Sequence, residues 1–340
     1  MATLLAGDIG GTKTLLSLYS AGGSHPELLV QERYASADWN DLGPMVIHFL
    51  QDGPGQEHPR PEAACLAVAG PVQGGRAQLT NLPWLLDEAA LAQACGLASV
   101  ELVNDFAVLI YGLPHLQPPQ LAQVRAGEVV GSAPLLVLGA GTGLGVAFGI
   151  PTATGLQAVA SEAAHGEFAP RSAAEWELRE WLREDLGLDR VSIERVVSGT
   201  GLGHVALWLL ACRSREASHP LDSEARRWEA GDSGADLPAA VAGAAAGGDP
   251  LAREALDLWL GAYGAVAGDL ALACLSRGGI WLAGGTAAKL LDGLRSRTFS
   301  QAFLAKGRLA STVGGIPIRA ITDPAVGSFS AACRARSLLG

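Results

Sequence analysis

Two glycine-rich turns and three short polar clusters carry the residues of this chain that are equipped for chemistry. In Gly7-Asp8-Ile9-Gly10-Gly11-Thr12-Lys13 an aspartate stands beside two glycines. Without Cβ atoms, that backbone can approach a phosphate closely and aim its N–H groups at the oxygens. Thr12 and Lys13 add donors, and Asp8 is suited to hold Mg²⁺ through water. An ordinary hairpin turn uses the same residues, so this stretch alone leaves both readings open. A second turn follows at Gly139-Ala140-Gly141-Thr142-Gly143-Leu144-Gly145. Each glycine costs stability unless the backbone requires it, and two matched turns in one chain favour phosphate contact over simple flexibility. The second turn does not fit GxGxxG, and the first misses the P-loop pattern because Thr12 stands where its second glycine belongs.

Acid–base groups lie outside the turns. Asn104-Asp105 directly follows an apolar, strand-like run, and the carboxyl end of a strand is where α/β proteins place ligand chemistry. Asp105 is suited to accept a proton from a hydroxyl as that oxygen attacks phosphorus. The competing role is capping of the segment that begins at Phe106; one of the pair can cap while the other reacts. Ser161-Glu162-Ala163-Ala164-His165-Gly166-Glu167-Phe168 sets a carboxylate and an imidazole three residues apart. That pair suits a polyhydroxy ligand, and with no third ligand nearby it is a poor zinc site. Read in isolation it is a solvated loop, and Glu194 beside Arg195 is a surface charge with a local partner.

The elements that must position these groups are legible as alternating apolar runs and turns. Leu4 to Ala6, Thr14 to Tyr19 and Leu28 to Tyr34 read as three strands of an antiparallel meander. A Rossmann unit or a P-loop would place a helix after the glycines instead. Helical character follows around Leu42 to Gln51, then a buried strand from Ala63 that is stopped by Gly70-Pro71. Leu85 to Ala94 reads as a short helix, Val100 to Val103 as a strand, and Phe106 onward as helix until Pro114. Strand, Gly/Thr turn and strand then recur over Leu135 to Ile150, which suggests an internal duplication with one copy per lobe and the turns facing each other. From about Ala211 to Pro250 the chain reads as loops and exposed helix ends without chemistry. Leu251 to Leu275 reads as one or two packed helices, and Gly278 to Gly285 as a strand closed by a glycine pair.

A length of 340 residues suits two domains, and 49% apolar residues suffice for substantial cores. The apolar runs are broken well short of the ~18 residues of a membrane span, and the N-terminus lacks a basic leader; a cytoplasmic chain without membrane or nucleic-acid partners is expected. With a net charge of −10 and no basic block, phosphates must be held by backbone N–H groups and a metal. The five scattered cysteines have no zinc spacing and read as small core residues in a reducing compartment.

Taken together and in order, these segments resemble the bacterial glucokinase family of the hexokinase/actin/Hsp70 ATPase superfamily, from end to end of the chain. Gly7 to Lys13 resembles its first phosphate motif and Gly139 to Gly145 its second. Leu79-Thr80-Asn81-Leu82-Pro83-Trp84 is similar to its sugar-side loop, and Asn104-Asp105-Phe106 to the segment with its catalytic base. Glu162 with His165, and Glu194 ahead of Val197-Ser198-Gly199, resemble further sugar ligands; Gly284-Gly285 with Lys289 resembles the adenosine motif. Two departures stand out: Ala163-Ala164 replaces the usual two glycines, which bears on substrate choice, and Thr200 replaces a frequent proline, with little effect expected. The cysteine-rich zinc motif of the repressor/ORF/kinase family is absent, and no helix-turn-helix precedes Asp8.

The resemblance implies an α/β fold of two lobes, each an RNase H-like (actin-like ATPase) βββαβα core, with a cleft between them. The small lobe would span residues 1–113 plus about 322–340, taking back a C-terminal helix, and the large lobe 114–321. It implies ATP and Mg²⁺ as cofactors, glucose or a close hexose as substrate, and a homodimer. Asn104, Asp105, Glu162, His165, Glu194, Thr80 and Asn81 would bind the sugar. Gly7, Asp8, Ile9, Gly10, Gly11, Thr12, Gly139, Gly141, Thr142, Gly143, Gly284 and Gly285 would bind the nucleotide, with Asp105 as catalytic base and Asp8 near the metal. Rival expectations are a kinase for mannose, fructose or an N-acetylhexosamine, a weak sugar sensor, and a non-sugar ATPase of the actin or Hsp70 kind. ADP or polyphosphate as donor is left open.

Overall fold

The N-terminal apolar runs form the expected meander in a computed structural model that describes residues 2–79, 82–213 and 218–339. Strands β1 (Thr3–Ile9), β2 (Lys13–Ser20) and β3 (Glu27–Ala35) pair antiparallel. The chain then makes the helix Leu42–Gln51, whose N-cap Asp41 accepts from Leu42 N–H at 2.7 Å and which buries Leu42, Met45, Val46 and Phe49. It returns as β4 (Ala63–Val68), parallel to β1. All of β4 is buried, as expected of a strand covered on both faces, and its sequence is accordingly apolar without alternation.

Three short strands follow as a separate antiparallel sheet: β5 (Val72–Gln73), β6 (Arg76–Gln78) and β7 (Leu85–Asp87). Leu85 to Asp87 was expected to open a helix; it is extended because Asp87 is the N-cap, accepting from Ala90 N–H at 3.0 Å, so the helix is Glu88–Cys95. Strand β8 (Ser99–Asn104) runs parallel to β4 and completes a sheet of order β3-β2-β1-β4-β8. Beyond it the chain turns through 105–108 before the helix Leu109–Gly112. The C-terminal helix Val326–Arg336 packs on β1 and β4 and is fastened by Arg334, which makes a two-bond pair with Glu101 at 2.6 and 2.8 Å.

Contacts divide the chain into two units, residues 1–120, 147–160 and 323–340, and residues 121–146 and 161–322. The second sheet contains β9 (Leu121–Arg125), β10 (Leu135–Ala140), β11 (Leu144–Thr152), β12 (Gly155–Ser161), β13 (Gly279–Ala283) and β14 (Ile318–Ile321). Its order is β12-β11-β10-β13-β14-β9. Apart from β9 this repeats the order of the first sheet, three sequential strands and then two reached by crossover, with β10, β13 and β14 parallel. The repeat seen in the glycine turns is therefore a repeat of topology.

The segment from Leu251 forms one helix, Pro250–Cys274. By length and composition it would cross a membrane, but 72% of its apolar window is buried inside the protein; it is a core helix. Gly264 and Gly268 let the neighbouring helix Arg297–Leu304 come close, since a Cβ would lie 2.3 Å from Phe299 O at the first position and 2.6 Å from Phe303 O at the second.

Candidate active site

In the first unit, strand register decides which groups share an edge. Ile9 pairs with Val68, and Val68 with Asn104, so three parallel strands finish level. Asp8 and Asp105 thus belong to one end of the sheet, on strands separated by β4, which sets their axes roughly 10 Å apart. Gly7 and Ile9 point into the packing: Ile9 is fully buried, and a Cβ on Gly7 would lie 2.7 Å from the Leu66 side chain. Asp8 alternates with them and keeps an exposed side chain. Desolvation by the surrounding protein raises its carboxyl above the usual range, and the Arg33 guanidinium opposes that shift.

The turn after β1 is clamped from behind. Gly10 N–H donates to Lys13 O at 3.1 Å, and Ser36 N–H to Thr12 O at 3.0 Å. The Ser36 hydroxyl donates to Gly10 O at 2.8 Å and lies 3.0 Å from the Thr14 hydroxyl, with Ser36 fully buried. Among the described residues, the N–H groups of Gly11 and Thr12 have no acceptor. They are available to a ligand.

Asn104 and Asp105 divide their roles. Asn104 Oδ1 accepts from Phe106 N–H at 3.1 Å and Ala107 N–H at 3.0 Å, which caps the turn. Its Nδ2 donates to Gly70 O at 3.1 Å and to Asp105 Oδ1 at 3.0 Å. Asp105 N–H extends the ladder to Val68 O at 3.0 Å, and its Oδ1 also accepts from Phe106 N–H at 3.0 Å. Asn104 and the Phe106 amide thus hold Oδ1 of the carboxylate in place.

In the second unit the corresponding turn, Gly141 to Gly143, depends on residues far away in sequence. Gly199 N–H donates to Gly141 O at 2.7 Å, and the Thr200 hydroxyl to Thr142 O at 2.8 Å. Leu144 N–H donates to Glu194 Oε2 at 2.9 Å. Gly139 lies within β10, beside Ala283 of β13. The helix Gly199–Arg213 begins here, with the Ser198 hydroxyl accepting from Gly201 N–H at 2.9 Å. Among the described residues, Thr142 and Gly143 N–H lack acceptors. A helix start and two unoccupied amides make a site for negative charge. The core helix backs this arrangement: Trp259 Nε1–H donates to Ser198 O at 2.8 Å, and the Tyr263 hydroxyl to Leu138 O at 3.3 Å.

Glu162 and His165 come together, with His165 Nε2 3.6 Å from Glu162 Oε2 and both side chains exposed. Their 3-10 turn, Ala163–His165, has no positive φ, so Ala163-Ala164 fits without strain and Ala164 is buried. This segment is tied to the one before Glu194, since Ile193 N–H donates to Gly166 O at 2.8 Å and Phe168 N–H to Val191 O at 2.9 Å. The Glu162–His165 segment and the distant Glu194 segment are thus joined by backbone bonds in the second unit. Thr80 and Asn81 lie outside the described residues.

A pocket of about 530 Å³ opens beside the second turn. One end holds Gly141, Thr142, Gly199, Thr200, Gly285 and Thr286, and the remaining lining includes Trp228, Asp236, Pro238 and Lys289. Gly284 has φ +83°, and a Cβ there would lie 2.7 Å from Ala140 O; the Thr286 hydroxyl donates to that same carbonyl at 2.6 Å. The loops and exposed helix ends expected for residues 211–250 need correction. The helices Asp222–Glu229 and Leu237–Ala246 supply Trp228, Asp236, Pro238, Ala239 and Ala242 to the pocket wall. Asp236 followed by Pro238 is an N-terminal helix signal that could have revealed the second of them.

Residues 5–338 match the family model for glucokinase. The chain is 43% identical to a glucokinase of Synechocystis sp., over 98% of each protein. Among solved structures it resembles a glucokinase from an Antarctic psychrotroph (TM-score 0.80, 28% identity, 98% of this chain and 99% of the other). The fold is shared with a ROK family glucokinase from Streptomyces griseus in complex with glucose and AMPPNP (TM-score 0.64, 21% identity, 98% of this chain and 99% of the other).

Proposed function

We propose, from the premise that this chain belongs to the glucokinase family and is an ATP-dependent kinase of glucose, that Asp105 is the general base of the transfer. It takes the proton of the C6 hydroxyl while that oxygen bonds to the γ-phosphorus of ATP; the bond from γ-phosphorus to the bridging oxygen breaks, giving ADP and glucose 6-phosphate. The supporting observation is the Asn104–Asp105 pair. Asn104 turns the chain and fixes Asp105 through Oδ1, at the level ends of the strands that also carry Asp8 and its turn.

Asn104, Asp105, Glu162, His165 and Glu194 hold the sugar hydroxyls, with Thr80 and Asn81 assigned to the same ligand. A site rich in acceptors rejects sugars that leave one unpaired, because an unmet buried polar group is costly. Gly11 and Thr12, and Thr142 and Gly143, bind phosphate through the N–H groups left without protein acceptors, while Gly10 and Gly141, whose N–H groups close the turns, let the backbone come close. Gly284 and Gly285 serve the nucleoside side, while Gly7, Ile9 and Gly139 keep the adjoining strands close. Asp8 fits a role toward Mg²⁺: it is an exposed carboxylate at a turn with free amides, and Mg²⁺ commonly takes one or two carboxylates plus substrate phosphates. When bound, Mg²⁺ neutralises charge on the β- and γ-phosphates. Assembly as a homodimer belongs to the same reading, and sedimentation of a monomer would overturn that part alone.

A coupled assay of the purified chain across hexoses and phosphoryl donors tests the reading. ADP should form from ATP only when glucose is present. Hydrolysis of ATP at the same rate without sugar would instead identify a non-sugar ATPase.

A further inference from the structure

We infer that Trp228 is the platform on which the base of the phosphoryl donor stacks, so that the donor is recognised as a nucleotide and not as a bare polyphosphate chain. The inference rests on the kinase reading above and deepens it. Trp228 lies in the last turn of the helix Asp222–Glu229 and lines the pocket that also contains Gly141, Thr142 and Thr200. Its indole is wedged at one edge. A Cβ on Gly203 would fall 2.9 Å from Cη2 and 3.0 Å from Cζ2, so a side chain at 203 would displace the ring. The His204 ring meets it edge-to-face, with centroids 5.6 Å apart at 68°. His204 is in turn fixed through Nδ1, 3.0 Å from Arg195 O. The indole is thus immobilised on the helix whose first residues hold the phosphate turn, while it remains partly exposed toward the pocket.

The composition of the pocket divides in the same sense. Glycines, hydroxyls and free amides gather at the phosphate turn, whereas Trp228, Pro238, Ala239 and Ala242, from the helices Asp222–Glu229 and Leu237–Ala246, add an apolar wall beside the charged Asp236 and Lys289. A triphosphate alone would leave that wall unused. A flat heteroaromatic ring would cover it, and an indole held at its edge contributes stacking at little ordering cost.

The test uses full-length protein, with Trp228→Leu and Trp228→Phe beside the wild type. The loss of stacking in Trp228→Leu should raise KM for ATP by about 5-fold to 100-fold. kcat, KM for glucose and competitive inhibition by tripolyphosphate should stay within about twofold of wild type, since these report chemistry, sugar and phosphate grip. Trp228→Phe should recover most of the affinity for ATP. AMP should quench the tryptophan fluorescence of the wild type but not that of Trp228→Phe. An unchanged KM for ATP in Trp228→Leu would overturn the inference, as would tripolyphosphate inhibition weakened in proportion to KM. If Trp228→Leu does not fold, AMP quenching that persists in Trp228→Phe overturns it. Failure of the kinase reading is separate, for it would appear as a wild type that makes no ADP in the presence of glucose.

Discussion

The two glycine turns do the same job with differently built supports. The turn at Gly10 to Lys13 is clamped by Ser36, a residue of its own meander, fully buried and bonded to Gly10 O and the Thr14 hydroxyl. The turn at Gly141 to Gly143 is clamped by Glu194, Gly199 and Thr200, which arrive from fifty or more residues downstream. Two of its clamps, Gly199 and Thr200, also line the pocket. The first support is part of the core, so its loss should be felt as instability. The second belongs to the ligand site, so its loss should be felt as affinity.

Glu194 gives the largest contrast. Glu194→Ala removes the acceptor of the buried Leu144 N–H, a loss of about 1–3 kcal/mol at the turn. KM for ATP should therefore rise by about 5-fold to 150-fold, together with KM for glucose, while Glu194→Gln should spare the ATP term because its amide oxygen still accepts. An unchanged KM for ATP in the alanine variant would remove Glu194 from the phosphate turn and leave only the sugar role.

Thr200 and Ser36 sharpen the comparison at smaller scale. Thr200→Val deletes the hydroxyl bond to Thr142 O and should raise KM for ATP by about 2-fold to 10-fold with little change in melting temperature; Thr200→Ser should restore it. Ser36→Ala should do the reverse, lowering stability by about 1–3 kcal/mol in denaturant titration with KM for ATP nearly unchanged. Equal patterns in the two variants would abolish the distinction drawn between the turns.

The smallest effect concerns acid. His204, behind the second turn, is held below the ordinary histidine range by burial, with the Arg195 carbonyl opposing. As pH falls below about 6.5 the unfolded chain gains a proton that the folded state resists, so stability is lost in that direction. The hydroxyl clamp of the first turn does not titrate. Melting temperature should therefore fall less steeply for His204→Gln than for wild type as pH drops from about 7.5 to 5.5. Parallel curves would contradict this.

The same contrast explains how much was legible in the sequence. The meander, β4 and β8 were readable because their turns are local and their strands apolar; Asn104-Asp105 announced itself by directly following a strand. Glu194 looked like a solvated charge because its partner is distant: the Glu194–Leu144 bond joins residues 50 positions apart. Glu162 and His165 suited a polyhydroxy ligand but were preferred over a solvated loop only through the family resemblance, and the ties from Gly166 to Ile193 and Phe168 to Val191 supply a physical connection to the Glu194 segment. Trp228 was hidden in an alanine- and glycine-rich stretch whose composition suggested loops, because its burial is set by Gly203 and His204 on another helix. Thr200 was expected to matter little in place of proline, yet its hydroxyl makes a bond that proline cannot.

The whole account turns on the aspartate that β8 delivers beyond its end. The direct measurement compares steady-state turnover and calorimetric glucose binding for wild type and Asp105→Ala. Turnover should drop by about 10²–10⁴ with sugar binding still measurable. Turnover near that of the wild type would show that another group moves the proton.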